Sequence, residues 1–192
     1  MSHAGRRSRK AVTRAILSAL GIALLGGCAT AGYYAQSIGG HLDLMAKRQD
    51  VDTLVKSPTT PPELKEKLSR AEAIRTFATQ ELALPDNGSY RTYVDVGKPF
   101  VTWNVVATPA LSLTAKTWCF PIAGCVSYRG YFDEADARAY GDELAAENMD
   151  VAVVGVRAYS TLGWFDDPVL NTFFRKNDAS LAGLSFHELA PI

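Results

Sequence analysis

The sequence predicts an α+β fold, with N-terminal helices followed by a small, mostly antiparallel sheet with interspersed helices. Three observations predict it. Apolar residues recur at helical spacing between residues 33 and 84, and runs of β-branched and aromatic residues of strand length take over beyond residue 90. The composition, 47% apolar and 21% charged over 192 residues, is that of one globular domain.

From Tyr33 to Arg48, the residues Tyr34, Ile38, Leu42 and Met45 share one helical face despite Gly39-Gly40. A short segment from Val51 to Val55 is expected to continue that helix. Ser57-Pro58-Thr59-Thr60-Pro61-Pro62 then breaks the pattern, with Thr60 as the expected cap of a second helix over 63–84 whose face is Leu64, Leu68, Ala71, Ile74 and Ala78. Pro85-Asp86-Asn87-Gly88 ends it.

Tyr90–Val96 and Phe100–Val106 read as two strands, and Gly97-Lys98-Pro99 between them predicts a hairpin. Val126–Phe132 is expected as a third strand. A helix over Asp133–Asn148 opens on an acidic first turn, and Val151–Val156 is a fourth strand. A loop through Gly163-Trp164-Phe165-Asp166-Asp167-Pro168 leads into a short helix over Val169–Arg175. The last segment, Ala179–Ala190, starts as a helix capped by Asp178.

The balanced charge, 20 Lys and Arg against 20 Asp and Glu, hides an asymmetry. Arg6, Arg7, Arg9, Lys10 and Arg14 all fall within the first 27 residues, which hold no acid. Without them 15 cations face 20 anions, a net of −5. A surface of that sign does not suit phosphate backbones, so nucleic acid is not an expected partner.

Arg6–Lys10 precedes the mostly apolar run Ala15–Leu25, which is the layout of a bacterial export signal. The run is shorter than the roughly 20 residues that span a bilayer. Leu25-Gly26-Gly27-Cys28 resembles the lipobox of bacterial lipoproteins. That resemblance implies a signal peptide over 1–27, an acylated Cys28 as the first residue of a domain over 28–192, and anchoring to the membrane. Each buried methylene of the acyl chains adds about 0.8 kcal/mol. Ala29 stands where an inner-membrane retention signal would carry Asp, which directs the expectation to the outer membrane, facing the periplasm.

In an exported chain Cys119 and Cys125, separated by a turn containing Pro121 and Gly124, can form a local disulfide. A two-cysteine metal site is the weaker alternative, since no second pair completes a tetrahedral set.

The metal-type constellation is Phe186-His187-Glu188-Leu189-Ala190, followed by Pro191. In the zinc-peptidase pattern His-Glu-x-x-His, two imidazoles four apart on a helix bind one ion and the glutamate activates its water. His187 and Glu188 fill the first two places, and Pro191 stands in the last. A His-Glu pair alone is also an ordinary solvated helix face.

The wider sequence adds to the pair. Tyr33–Leu44, Tyr90–Val94, Trp103–Pro109, Phe120–Phe132, Tyr159–Pro168 and Leu181–Ala190 together resemble a family of bacterial lipoproteins described as putative aminopeptidases. The resemblance implies that His187 is a zinc ligand and Glu188 the general base, on a zincin-type active-site helix. It further implies a second histidine and a downstream carboxylate that this sequence does not carry. The chain is therefore expected to be the front half of such a protein, cut within the motif and inactive, with Leu181, Leu184, Phe186 and Leu189 left partly uncovered.

In gluzincin-like peptidases an edge strand before the zinc helix pairs with the extended substrate. Val153–Leu162 is the candidate here, with Ser160, Thr161, Leu162 and Gly163 nearest the site. A plain core strand and loop is the competing reading. Asp166 and Asp167 are either ligands for a substrate amino terminus or ordinary turn residues. His41 is expected in a surface or core role, and Tyr159, Arg129 and Arg157 in ordinary strand roles. Peptide substrate, zinc and membrane are the expected partners. The alternative is a noncatalytic envelope lipoprotein that binds a partner or has a structural role.

Overall fold

A computed structural model of the chain describes residues 30–120, 124–161, 163–175 and 178–190. Cys28 lies outside these residues, as do Leu162 and Pro191. The chain divides into two compact units, 1–39 and Gly40–Ile192. In the first, residues 30–39 are helical, and Tyr33 and Tyr34 meet edge to face with ring centroids 5.7 Å apart.

The second unit opens with helical residues 40–46 (α1), then β1 (Gln49–Asp50), α2 (Val51–Lys56) and α3 (Pro62–Leu82). Next come β2 (Thr92–Val94), β3 (Thr102–Pro109), β4 (Trp118–Phe120), β5 (Gly124–Val126) and β6 (Arg129–Tyr131). The chain continues with α4 (Glu134–Ala146), β7 (Met149–Val156), β8 (Val169–Leu170), a 3₁₀ turn over Asn171–Arg175 and α5 (Asp178–Leu189). This is the mixed α+β architecture that the sequence predicts, divided among three small sheets ordered β1-β2-β8, β6-β3-β7 and β4-β5. Among the described residues only β2–β8 pairs in parallel; the other pairs are antiparallel.

Val51–Val55 does not continue the preceding helix. Asp50 begins a separate helix by accepting from Thr53 N at 2.7 Å and Thr53 Oγ1 at 2.8 Å. Thr60 does not cap α3, because the N-cap position is Pro61, with no side-chain cap bond and Pro62 in the first turn. α4 does begin as expected, with Asp133 accepting from Ala135 N and Asp136 N.

The predicted hairpin is absent, because its two strands lie in different sheets. Tyr93 and Val94 are both buried, as befits a short strand flanked on either side, by Gln49–Asp50 and by Val169–Leu170. After them Val96 N donates to Asn171 Oδ1 at 3.0 Å, and Gly97, at φ +67°, turns the chain toward the second sheet. The expected third strand is likewise split between β5, which pairs with β4, and β6, which pairs with β3. Val169–Leu170 is strand rather than helix; helical backbone begins at Asn171 and is 3₁₀.

β3 pairs along its whole length with β7, and α4 covers one face of that sheet through Ala137, Gly141 and Leu144. Gly141 lets the helix approach, since a Cβ there would stand 3.3 Å from Val153 and 3.4 Å from Val151. Cys119 and Cys125 are directly opposite in the β4–β5 register and are joined by a disulfide. Trp118 Nε1 ties that hairpin to α4 by donating to Tyr140 Oη at 2.9 Å.

The main core gathers Leu44, Leu68, Val94, Leu170, Leu181 and Leu189 among others. Leu181 and Leu189 are therefore not left wet. Both are about as buried as the rest of the core, and Leu184 and Phe186 pack partly against it, because α5 docks on α3 within this chain.

Candidate functional site

α5 places the two motif residues differently. Leu181, Ser185, Glu188 and Leu189 recur on one face, which is the buried one, so Glu188 points inward and is half-buried. His187, about 100° round the helix, is exposed. Burial raises the Glu188 pKa, and the nearby Asp167 raises it further. The adjacent His187 and a hydrogen bond from Ser160 act in the opposite direction.

The Ser160 hydroxyl lies within hydrogen-bonding reach of both the Glu188 and the Asp167 carboxyl groups. Strand β7 ends at Val156, so Ser160 and Thr161 belong to an irregular segment rather than to the edge strand. That segment is built around Thr161. Its N–H donates to Asp167 Oδ2 at 2.8 Å, its hydroxyl lies 3.0 and 3.1 Å from the two carboxylate oxygens, and it accepts from Phe165 N at 3.1 Å. Gly163, at φ +79°, supplies the turn.

The two candidate aspartates separate. Asp166 is exposed; Asp167 is 3% exposed. Burial raises the Asp167 pKa against the opposing effects of Thr161, His41 and Ser160.

Two residues that sequence reasoning left aside or used only as strand formers belong to the same cluster. His41 Nδ1 is 3.2 Å from Tyr159 Oη, its ring centroid is 4.7 Å from that of Phe165, and its charge acts on Asp167. Tyr90 N donates to Asp167 O at 2.6 Å. The Tyr90 side chain is 5% exposed, its hydroxyl has no hydrogen-bond partner, and Glu188 and Asp167 are its charged neighbours. Buried Arg75 of α3 sets the turn before it, donating from Nε to Ser89 O at 2.8 Å and from Nη2 to Asp86 Oδ1 at 2.9 Å and to Asn87 O. Arg129 sits over the Tyr140 ring at 4.4 Å and Arg157 is 5.8 Å from the Phe100 ring, which leaves both in the sheet region.

The sequence matches the family described as "Putative aminopeptidase" over residues 32–191, most of the chain. The chain belongs to that family. No curated protein and no solved structure matches it. The aminopeptidase match spans every described residue of this cluster, from His41 through Tyr90, Ser160 and Asp167 to Glu188.

Among the described residues no group of three or more His, Cys, Asp and Glu side chains is placed to hold a metal ion. His187 and Glu188 project in different directions, and Asp167 already has both oxygens engaged by Thr161. This donor set does not by itself fit zinc, which takes three or four N, O or S ligands.

Proposed function

We propose that this member of the aminopeptidase family derives from a zinc-dependent peptidase. In that reading His187 stands at the first metal-ligand position, and Glu188 is the general base of peptide hydrolysis at a free amino terminus. The observation that carries the reading is the placement of Glu188. Of the two motif residues, the glutamate faces inward and meets Ser160 and the Asp167 side. A half-buried carboxylate in such a setting suits proton transfer: its oxygen takes a proton from attacking water and hands it to the leaving amine.

Position 191, where the motif calls for a second imidazole, is Pro. The polypeptide as written is therefore proposed to lack peptidase activity and to retain the substrate-facing side of the site. The lipobox-like Leu25–Cys28 supports attachment to the cell envelope through acylated Cys28, facing the periplasm.

Zinc content and hydrolysis of leucine 4-nitroanilide test this on the chain and on Pro191→His, which places two imidazoles four residues apart. The chain itself is expected to show no turnover, and the variant to gain zinc. Turnover by the unchanged chain overturns the proposed inactivity. A variant with no gain in zinc overturns the metal role of His187.

A further inference from the structure

The loop between β3 and β4 carries two leucines that folding leaves in water. Leu111 and Leu113 are fully exposed, more so than any other large apolar residue among those described. They are not on slack chain. Ser112 N donates to Pro109 O at 3.0 Å, Thr114 N to Ser112 Oγ at 3.0 Å, and Lys116 N returns to Ala107 O at 2.8 Å. Leu111 itself lies at φ +61°, a region that branched side chains avoid and that glycine or asparagine would fill at less cost. Packing gives no reason for leucine at either position.

The surroundings of the tip are layered. From Val101 to Ala115 the sequence holds no Asp, Glu, Lys or Arg. At the base of the loop the Lys116 ammonium lies 5.9 Å from the centre of the Trp118 ring, and Trp118 Nε1 donates to Tyr140 Oη. On the adjoining strand Met149 stands opposite Pro109 and Asp150 opposite Thr108, with Glu147 two residues earlier. Two acids and one cation do not draw in an anionic partner. An uncharged apolar tip above Lys, Trp and Tyr instead matches the order of a membrane surface, hydrocarbon first and then amphipathic rings and a lysine at headgroup level.

Size favours the same occupant. Two leucine side chains offer roughly 200 Å² to a partner, whereas a stable protein–protein interface takes about 800 Å² from each side. A bilayer needs no matching surface and accepts a protruding tip. So small a contact is too weak to hold the chain alone, but an acyl chain on Cys28 would keep the tip at high effective concentration beside the lipid.

We infer that the 110–115 loop is a second membrane contact, in which Leu111 and Leu113 enter the acyl region of a phospholipid bilayer while Lys116 and Trp118 stay at the headgroups. The inference rests on the envelope-attachment reading and adds to it a part of the folded domain that touches the membrane.

Fluorescence of the full acylated chain in phosphatidylcholine vesicles tests it. With Cys28 acylated and Cys119 bonded to Cys125, a thiol introduced by Ala110→Cys is the one left to carry a nitrobenzoxadiazole label. Brominated acyl chains are expected to cut its emission about twofold or more, and to leave a label at Glu72→Cys, exposed on α3, unaffected. Raising salt from about 0.05 to about 0.5 M should not change the quenching, because the contact is apolar. Leu111→Gln combined with Leu113→Gln should abolish the quenching while the Tm stays level, since neither side chain is covered in the fold.

An unquenched Ala110 label, or equal quenching in the double glutamine variant, overturns the inference. Self-association that the double variant dissolves, without quenching by lipid, assigns the tip to a second copy of the chain and also overturns it. If the chain takes up palmitate and sediments with membranes but the Ala110 label is not quenched, this inference alone fails. If the chain takes up no palmitate and the label is quenched by excess vesicles, the acyl-anchor reading alone fails.

Discussion

Asp167 shows how a single residue here serves both loop and site. Its carboxylate closes the turn by bonding Thr161, and its backbone carbonyl holds Tyr90, so the loop and the segment before β2 share one anchor. Burial raises its folded pKa above the ordinary 3.8. Relative to the unfolded chain, folding therefore favours the protonated carboxyl. The associated stability is fully present below pH 3.8 and is lost as pH rises through the folded value. Urea-unfolding midpoints of the chain and of Asp167→Asn should diverge in favour of the variant over that rise and then run parallel. A gap constant from pH 3 to 7 would refute the burial effect. Sequence reasoning did reach Asp167, as one of two equivalent turn acids, but only burial distinguishes it from Asp166. His41 and Tyr90 gave no usable signal, because their partners lie far away in sequence: Tyr159 is 118 positions beyond His41, and Asp167 is 77 positions beyond Tyr90.

Helices were the more legible elements because their signals are local. The acidic first turn and Asp133 located α4, and the apolar spacing located α3 to within two residues of its ends. Strand pairing was not legible. Residues 90–106 have the composition of a hairpin, yet burial of consecutive Tyr93 and Val94 assigns β2 to partners at Gln49–Asp50 and Val169–Leu170. α5 was read correctly as a helix and incorrectly as a poorly covered one. Its docking rests on Leu181 and Leu189, both in the main core. Leu181→Ala is expected to lower global stability by about 2–5 kcal/mol in urea unfolding. A loss below about 1 kcal/mol would mean that α5, and Glu188 with it, is only weakly held.

The first 27 residues carry five cations and no acid, and the remainder is acidic, at net −5. No helix among the described residues is long and apolar enough to cross a membrane; the proposed attachment is through Cys28. In a bacterial host the chain is expected to sediment with membranes and incorporate labelled palmitate. Cys28→Ser should release it and lose the label; a Ser variant that still sediments and labels would remove the lipobox from the account. The core also has a consequence for biogenesis. Leu44 and Val94 pack in the same cluster as Leu170 and Leu189, and parallel β2–β8 joins residues 76 positions apart. Loop closure over such spans delays folding until almost the entire polypeptide is available. Nearly the whole chain would thus have to be synthesised before this core could close, which leaves its early apolar segments uncovered until the last helix arrives.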